Sequence, residues 1–449
     1  MDRREFIKST FGFATAAALC PSILRAGSSP LPLNDVEFDQ NTFIGNSPQT
    51  IIIYLMGGMG EIVGNMTNLD EIVTNGLSQI EYPMQYFTST KDGFWKEAGG
   101  DFIQSMVDDG NATIFRTCEQ KDLLKAHKLN QIRFMHGNDM GYESGMVSTL
   151  MHVLNRFNAV SEDEVMVNFS MVDSNFELLT DNAVSPALPG FLKPVSFGLD
   201  SYNPFARKAS ATSSFQDDDL LDELSFEVNS QPGREPKIGN MFNLRKSLKE
   251  YVYKIKSTPL PDGIDYTIDG IYDRYNFGKK LEAAMRILTQ NPQTRVISLT
   301  TESWDDHSNA IDQHMNRGYY LFRAIHTAME HAKRIGKENI NIILFGDFGR
   351  NLNINSAYGW DHGNNQNVMF FGGKKYFNHL GTVGETVLDE RMLKVNRIYT
   401  TPSSSSYAFE PYAVASTLYK LYGVKNPEVL TGGRKEIGSG LQNAFLKIV

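Results

Sequence analysis

The chain has 449 residues, 41% of them hydrophobic and 21% charged, a globular balance with enough apolar content for a large core. Its formal net charge of −9 at pH 7, with no block rich in Lys and Arg, excludes a general nucleic-acid binder, which needs a basic face.

The first residues read "MDRREFIKSTFGFATAAALCPSILRAG". Arg3 and Arg4, then a short run of small apolar residues, then a cleavage point after Ala26 predict an export signal of the twin-arginine type over 1–27. Such a signal makes the twin-arginine translocase a transient partner and places the mature protein in the periplasm or outside the cell. The run is too short to stay in a bilayer, and nothing later approaches 18 consecutive apolar residues, so no stable membrane span is expected. Cleavage would leave Cys118 without a partner and rule out an intrachain disulfide.

Residues 28–449 read as one domain. After a Pro-rich lead-in, "TIIIYLMGGMG" is an unbroken apolar run ended by glycines, the pattern of a buried strand entering a turn. "NATIFRTC" predicts a second strand, and "DLLKAHKLNQIRFMHG" a helix stopped at Gly137. A polar stretch predicts an excursion from the core over about 200–265. "NFGKKLEAAMRILTQNP" predicts a helix, "TRVISLTT" a strand, "RGYYLFRAIHTAMEHAKRIG" a helix, "NINIILFG" a strand, and "EPYAVASTLYKLYGV" a last helix. Helices alternating with buried strands predict a three-layer α/β/α sandwich around a mostly parallel sheet.

In such sheets the chemistry gathers at the carboxyl ends of the strands. "SWDDHSN" follows one predicted strand and "GDFGR…GWDHG" ends the next, which sends Asp305, Asp306, His307, Asp347, Asp361 and His362 towards one edge. Mixed carboxylates and imidazoles suit a divalent metal such as zinc or manganese. Taken singly, each of these residues is an ordinary turn or cap residue; it is their common placement that points to a site. Arg350 can grip an anionic substrate by a forked pair of hydrogen bonds, or pair internally with Asp347. "DFG" does not make a protein kinase, because the chain has neither an H-R-D-x-x-x-x-N loop nor a V-A-I-K strand. "GMGEIVG" mimics a dinucleotide-binding turn, but no convincing second strand precedes the acidic Glu81 that would have to close it. Cys118 at a strand end reads as a small buried hydrophobe rather than a nucleophile.

The succession "GGMG", "AHKLNQIRFMHG", "FGKKLEAAMRIL", "SWDDHSN", "GDFGRNLNINSAYGWDHG" and "FFGG" resembles the DUF1501 family, exported proteins of the alkaline phosphatase and sulfatase superfamily. The resemblance covers most of the mature chain. It implies an alkaline phosphatase-like fold, with Asp305, His307, Asp347, Asp361 and His362 as metal ligands and His127 and Arg350 as catalytic residues. Zinc, manganese or calcium would be the cofactor, and a small anionic ester the substrate. Two family features are missing. Gly60 stands where the family has a ligand Asp, with Glu61 next to it, and Ala126 stands where a Ser nucleophile precedes the His. One metal is therefore expected rather than two. The functional expectation is an exported metal-dependent hydrolase of phosphate or sulfate esters; the alternative is a catalytically degenerate relative serving as an envelope binding or scaffold protein.

Overall fold

The computed structural model describes residues 30–121, 126–171, 176–182, 187–195, 226–227, 230, 236–267, 277–301 and 304–447. The expected signal over 1–27 and much of the expected excursion over 200–265 lie outside the described residues.

The apolar runs form the strands β1 (Gln49–Leu55), β2 (Ala112–Glu119), β3 (Asn168–Ser170), β4 (Val296–Thr301), β5 (Ile340–Gly346), β6 (Asn365–Gly372) and β7 (Gly381–Val383). These make one sheet in the order β3-β4-β1-β5-β6-β2-β7. Every residue of β1, β5 and β6 is buried, which explains why the middles of β1 and β5 read as unbroken rather than alternating apolar runs. A small hairpin of β8 (Thr386–Leu388) and β9 (Thr400–Pro402) stands apart from it.

Strand direction is what builds the site. Strands β3, β4, β1 and β5 run parallel, and β6 runs antiparallel to both β5 and β2. The carboxyl ends of β4, β1, β5 and β2 therefore share one edge of the sheet, and the chain enters β6 from that same edge. The expected mostly parallel sheet is present.

Alternation along β1 sends Ile51, Ile53 and Leu55 to one face and Ile52 and Tyr54 to the other. The longer helices are α1 (Gly100–Asp108), α2 (His127–His136), α3 (Met146–Arg156), α4 (Pro236–Ser257), α5 (Phe277–Gln290), α6 (Ala310–Arg334) and α7 (Ala413–Leu421). Apolar residues of α1, α5 and α6 pack on the first face, and those of α2, α3 and α7 on the second. The sheet is thus the middle layer of three, as expected.

Three elements differ from the sequence reading, the first being α2, which starts at His127 after its cap Ala126 rather than at Asp122. Helix α6 starts at Ala310 rather than near Arg317, because Ala310, Ile311 and His314 continue its buried stripe by more than one turn. Part of the expected polar excursion is α4, a helix of 22 residues that sends Ile255 into the core beside α5.

Beyond β1 the chain turns inward and buries Glu61 completely. Its carboxylate accepts hydrogen bonds from Thr400 Oγ1 at 2.6 Å and Asn365 Nδ2 at 2.8 Å, which ties the first turn to the start of β6 and to β9. Burial outweighs these bonds and raises the Glu61 carboxyl from 4.5 to about 7. Between those two values an unfolded chain releases the proton while the folded chain keeps it. The Glu61 contribution to stability should therefore fall as pH rises through that window, by roughly 3 kcal/mol in all, and level off above it. In urea unfolding from pH 4.5 to 8, the stability of the wild type relative to Glu61→Gln should fall by this amount between about pH 4.5 and 7; a difference that does not change with pH would contradict the assignment.

Candidate metal centre

The turn after β1 makes room for the site because it has no side chains. Gly57 and Gly58 hold φ values of +104° and +79°, and an added Cβ would overlap the Asp305 backbone nitrogen at the first and the Phe348 carbonyl at the second. The segments after β4 and β5 thereby close on the end of β1. Gln366 secures the end of β5: its side-chain amide accepts from Gly346 N at 2.9 Å and donates to Gly346 O at 3.1 Å.

Four residues converge at this edge. One ligand atom each from His127, Asp305, His307 and His362 lie within 4.8 Å of one another. The contacts centre on Asp305 Oδ1, which is 3.1 Å from His127 Nε2, 2.9 Å from His307 Nε2 and 3.5 Å from His362 Nε2. His307 Nε2 and His362 Nε2 stand 3.2 Å apart. The four residues arrive by three routes. His127 is the first residue of α2, Asp305 and His307 follow β4, and His362 precedes β6. Asp305 and His307 are about half exposed, so the group opens to solvent.

Outer carboxylates orient two of the imidazoles. His127 Nδ1 donates to Asp347 Oδ2 at 2.8 Å, and His307 Nδ1 to Asp361 Oδ1 at 3.0 Å. A ring proton held at Nδ1 leaves the Nε2 lone pair for a ligand, the usual arrangement of metal-binding histidines. Asp361 is braced by Arg397 Nη1 at 2.7 Å. Asp347 is fully buried and also accepts from Gly57 N and Gln131 Nε2, both at 3.0 Å.

The donor set passes a test of fit. Around an ion with bonds of about 2.0–2.1 Å, tetrahedral donors sit roughly 3.3 Å apart, close to the spacings found here. His127 Nε2 is buried and lacks an aligned hydrogen-bond partner, although charge attraction from Asp305 reaches it at 3.1 Å. Partial burial works against the Asp305 carboxylate, but His127, His362 and Arg350 outweigh it and hold the group far below the usual range. Burial likewise pulls the His127 imidazole down, and Asp305 and Asp347 outweigh it, raising it to about 9. Without an ion His127 and Asp305 thus form an imidazolium–carboxylate pair.

The expected roles change in four places. Asp347 and Asp361 do not join the converging atoms; they stand behind His127 and His307. His127, expected as a catalytic residue, is one of the four donors. Arg350 is not free to grip a substrate. Its guanidinium is buried and donates to the carbonyls of Gly57, Gly58, Trp304 and Trp360 and, at 2.9 Å, to Asp305 Oδ1, so its carboxylate partner is Asp305 and not Asp347. Asp306 turns away from the edge to Arg317 and the buried His314. Cys118 is buried in the second layer, where burial and the nearby Glu410 charge push its thiol well up.

The departures from the family pattern are also located. Gly60 has φ −58°, donates its N–H to His314 Nε2 at 2.9 Å and faces His314 and Trp360. A carboxylate at that position would enter aromatic packing rather than the metal group. Ala126 caps α2 without a side-chain hydrogen bond. Among the described residues there is no second converging group of this kind. Gln131 and Arg397 were not among the expected site residues. Gln131 is one helical turn from His127, a spacing that flags it, whereas Arg397 lies 36 residues from Asp361 and carries no such signal.

Comparison with known proteins follows this geometry. Residues 252–386 match the family described as "Protein of unknown function (DUF1501)". The match covers less than a third of the chain. It contains Asp305, His307, Asp347, Arg350, Asp361 and His362, while His127 lies outside it. No curated protein matches the chain. Among solved structures, the chain is similar to the zinc complex of the C-terminal periplasmic domain of EptC from Escherichia coli, at 10% identity, with 93% of this chain and 96% of that chain covered and a TM-score of 0.34. It is also similar to a phosphonate monoester hydrolase from Silicibacter pomeroyi (9% identity, 87% and 76% covered, TM-score 0.32). A third is the lipoteichoic acid synthase LtaP from Listeria monocytogenes (10% identity, 88% and 77% covered, TM-score 0.33).

Because the Arg350 fork satisfies several carbonyls at once, an ammonium on a flexible stem cannot replace it. Arg350→Lys should lower stability by about 3 kcal/mol, measured by chemical unfolding, and a loss under about 1 kcal/mol would contradict this role.

Proposed function

We propose that the four converging donors hold one divalent metal, zinc before manganese, and that the protein is a hydrolase of small phosphate or sulfate esters. The observation that carries this reading is the convergence of three imidazole Nε2 atoms on Asp305 Oδ1, with His127 and His307 oriented from behind by carboxylates. Imidazole-rich donors suit zinc, and calcium, expected from the resemblance as an option, fits poorly because it takes oxygen ligands. Four protein donors would fill a tetrahedral ion, so a water or an ester oxygen would need a fifth coordination position, and the exposure of Asp305 and His307 leaves that position open to solvent.

When bound, a divalent metal supplies a Lewis acid for an ester oxygen and lowers the pKa of a coordinated water. The chain's own groups set the conditions. Three neutral imidazoles and one carboxylate would leave a net positive charge around a divalent ion, which favours an anionic ester. Asp347 and Asp361 keep the ring protons of His127 and His307 on the far nitrogens. Arg350 holds the Asp305 carboxylate in place. Ala126 offers no hydroxyl, so water is the nucleophile. Ester chemistry rests on the family resemblance, while metal binding rests on the donors.

The binding or scaffold alternative draws on Ala126 and on the internal use of Arg350, which removes one cation from substrate contact. Protein purified without chelator should carry about one equivalent of zinc and hydrolyse an aryl phosphate or aryl sulfate, and His307→Ala should lose about 100-fold or more of both affinity and rate. Metal-free protein with no turnover would favour the alternative.

Export belongs to the same proposal and rests on Arg3 and Arg4. The described residues contain no helix long and apolar enough to cross a membrane. The double variant Arg3→Lys, Arg4→Lys should accumulate as precursor in the cytoplasm; normal appearance in the periplasm would refute the twin-arginine route.

A further inference from the structure

Strand register brings one more residue behind the metal group. Tyr54 of β1 pairs with Phe345 of β5, and their rings meet edge-on with centroids 5.1 Å apart. Asp347 lies two residues beyond Phe345, so alternation returns its side chain to the same face, the one covered by α2. Tyr54 and Asp347 are both completely buried.

All the hydrogen bonds found on Asp347 fall on one oxygen. His127 Nδ1, Gln131 Nε2 and Gly57 N each donate to Oδ2. Oδ1 is buried and has no aligned partner among the described residues, and the same holds for the Tyr54 hydroxyl. A buried phenol and a buried carboxylate oxygen are each costly when unpaired, and together they are a donor and an acceptor. Burial pushes the phenol well above its ordinary range, and the charge and close approach of Asp347 push it further, so it remains a donor at any working pH.

We propose that Tyr54 is a positioning residue for the metal group: its hydroxyl donates to Asp347 Oδ1 and fixes the rotation of that carboxylate, which in turn orients the His127 ring. Three donors on Oδ2 share one atom and leave the carboxylate free to pivot about it. A contact on Oδ1 removes that freedom. The chain of groups runs from β1 through the end of β5 to the start of α2, so the core sets the direction of His127 Nε2. This inference rests on the four-donor metal site proposed above.

Tyr54→Phe removes the hydroxyl and keeps the ring. Zinc affinity, measured by competition with a chromophoric chelator, should weaken about 10-fold, the low end of the range for loss of an outer partner of a metal ligand, because Tyr54 acts one contact further out through Asp347. Metal-free thermal unfolding should shift no more than in Tyr419→Phe, another fully buried phenol of the same layer, which should leave zinc affinity unchanged. A second measurement does not depend on the variant folding. With carbon-13 at the tyrosine Cζ, the Tyr54 resonance of the wild type should move on addition of zinc and that of Tyr419 should not. Wild-type affinity in Tyr54→Phe, or a stationary Tyr54 resonance, would overturn the positioning role and leave the metal site standing. A wild type that takes up no zinc would overturn the metal site and this role with it.

Discussion

A guanidinium cannot be buried without partners, and the way Arg350 finds them shapes the whole edge of the sheet where the candidate metal group lies. Its donors reach the carbonyls of Gly57 and Gly58 after β1, of Trp304 after β4 and of Trp360 ahead of β6, together with the Asp305 carboxylate. One side chain thus ties together the three loops that must meet if His307 and His362 are to face Asp305. Burial lowers the Arg350 pKa from its usual value, and the carboxylates around it, Asp305 first, oppose that cost. The same contact gives Asp305 a fixed direction, although its side chain stands in a solvent-exposed loop.

The site draws on both layers of the molecule. His127 comes from the layer of α2, and Asp347 and Tyr54 lie on that face of the sheet. Trp304, His314 and Trp360 pack in the opposite layer, where Asp306 pairs with Arg317 at 2.5 Å. The donors meet at the sheet edge because β6 is reversed: the carboxyl ends of β4, β5 and β2 and the entry to β6 then all face the same way. Glycines at 57 and 58 permit the closest approach of backbone to backbone there.

How much of this is visible in the amino-acid sequence depends on the range of the forces involved. Strands β1, β2, β4 and β5 are legible because buried strands carry long apolar runs such as "IIIYL" and "IILF", whereas the short β3 and β7 and the polar start of β6 carry no such signal. The location of the site follows from strand ends, and Asp305, His307 and His362 do meet. The division between ligands and supporting groups is not legible, since an Asp that touches a metal and an Asp that orients a histidine look the same in one dimension. Asp347 and Asp361 read as ligands for that reason, whereas the fold sets them against His127 and His307, and His127 joins the converging atoms through a contact between α2 and the end of β5. Arg350 shows the same limit: a forked cation suits a substrate anion and a set of backbone carbonyls equally well, and only the fold selects the carbonyls. Gly60 reads as a lost ligand in sequence, whereas in space its position belongs to the packing of His314 and Trp360.

The central claim is that His127, His307, His362 and Asp305 bind one metal together. X-ray absorption at the zinc edge of the zinc-loaded protein tests it most directly. The account predicts a first shell of nitrogen and oxygen at about 2.0–2.1 Å, outer-shell scattering from about three imidazoles, and no sulfur near 2.3 Å. A shell dominated by oxygen, or scattering from a single imidazole or none, would contradict it.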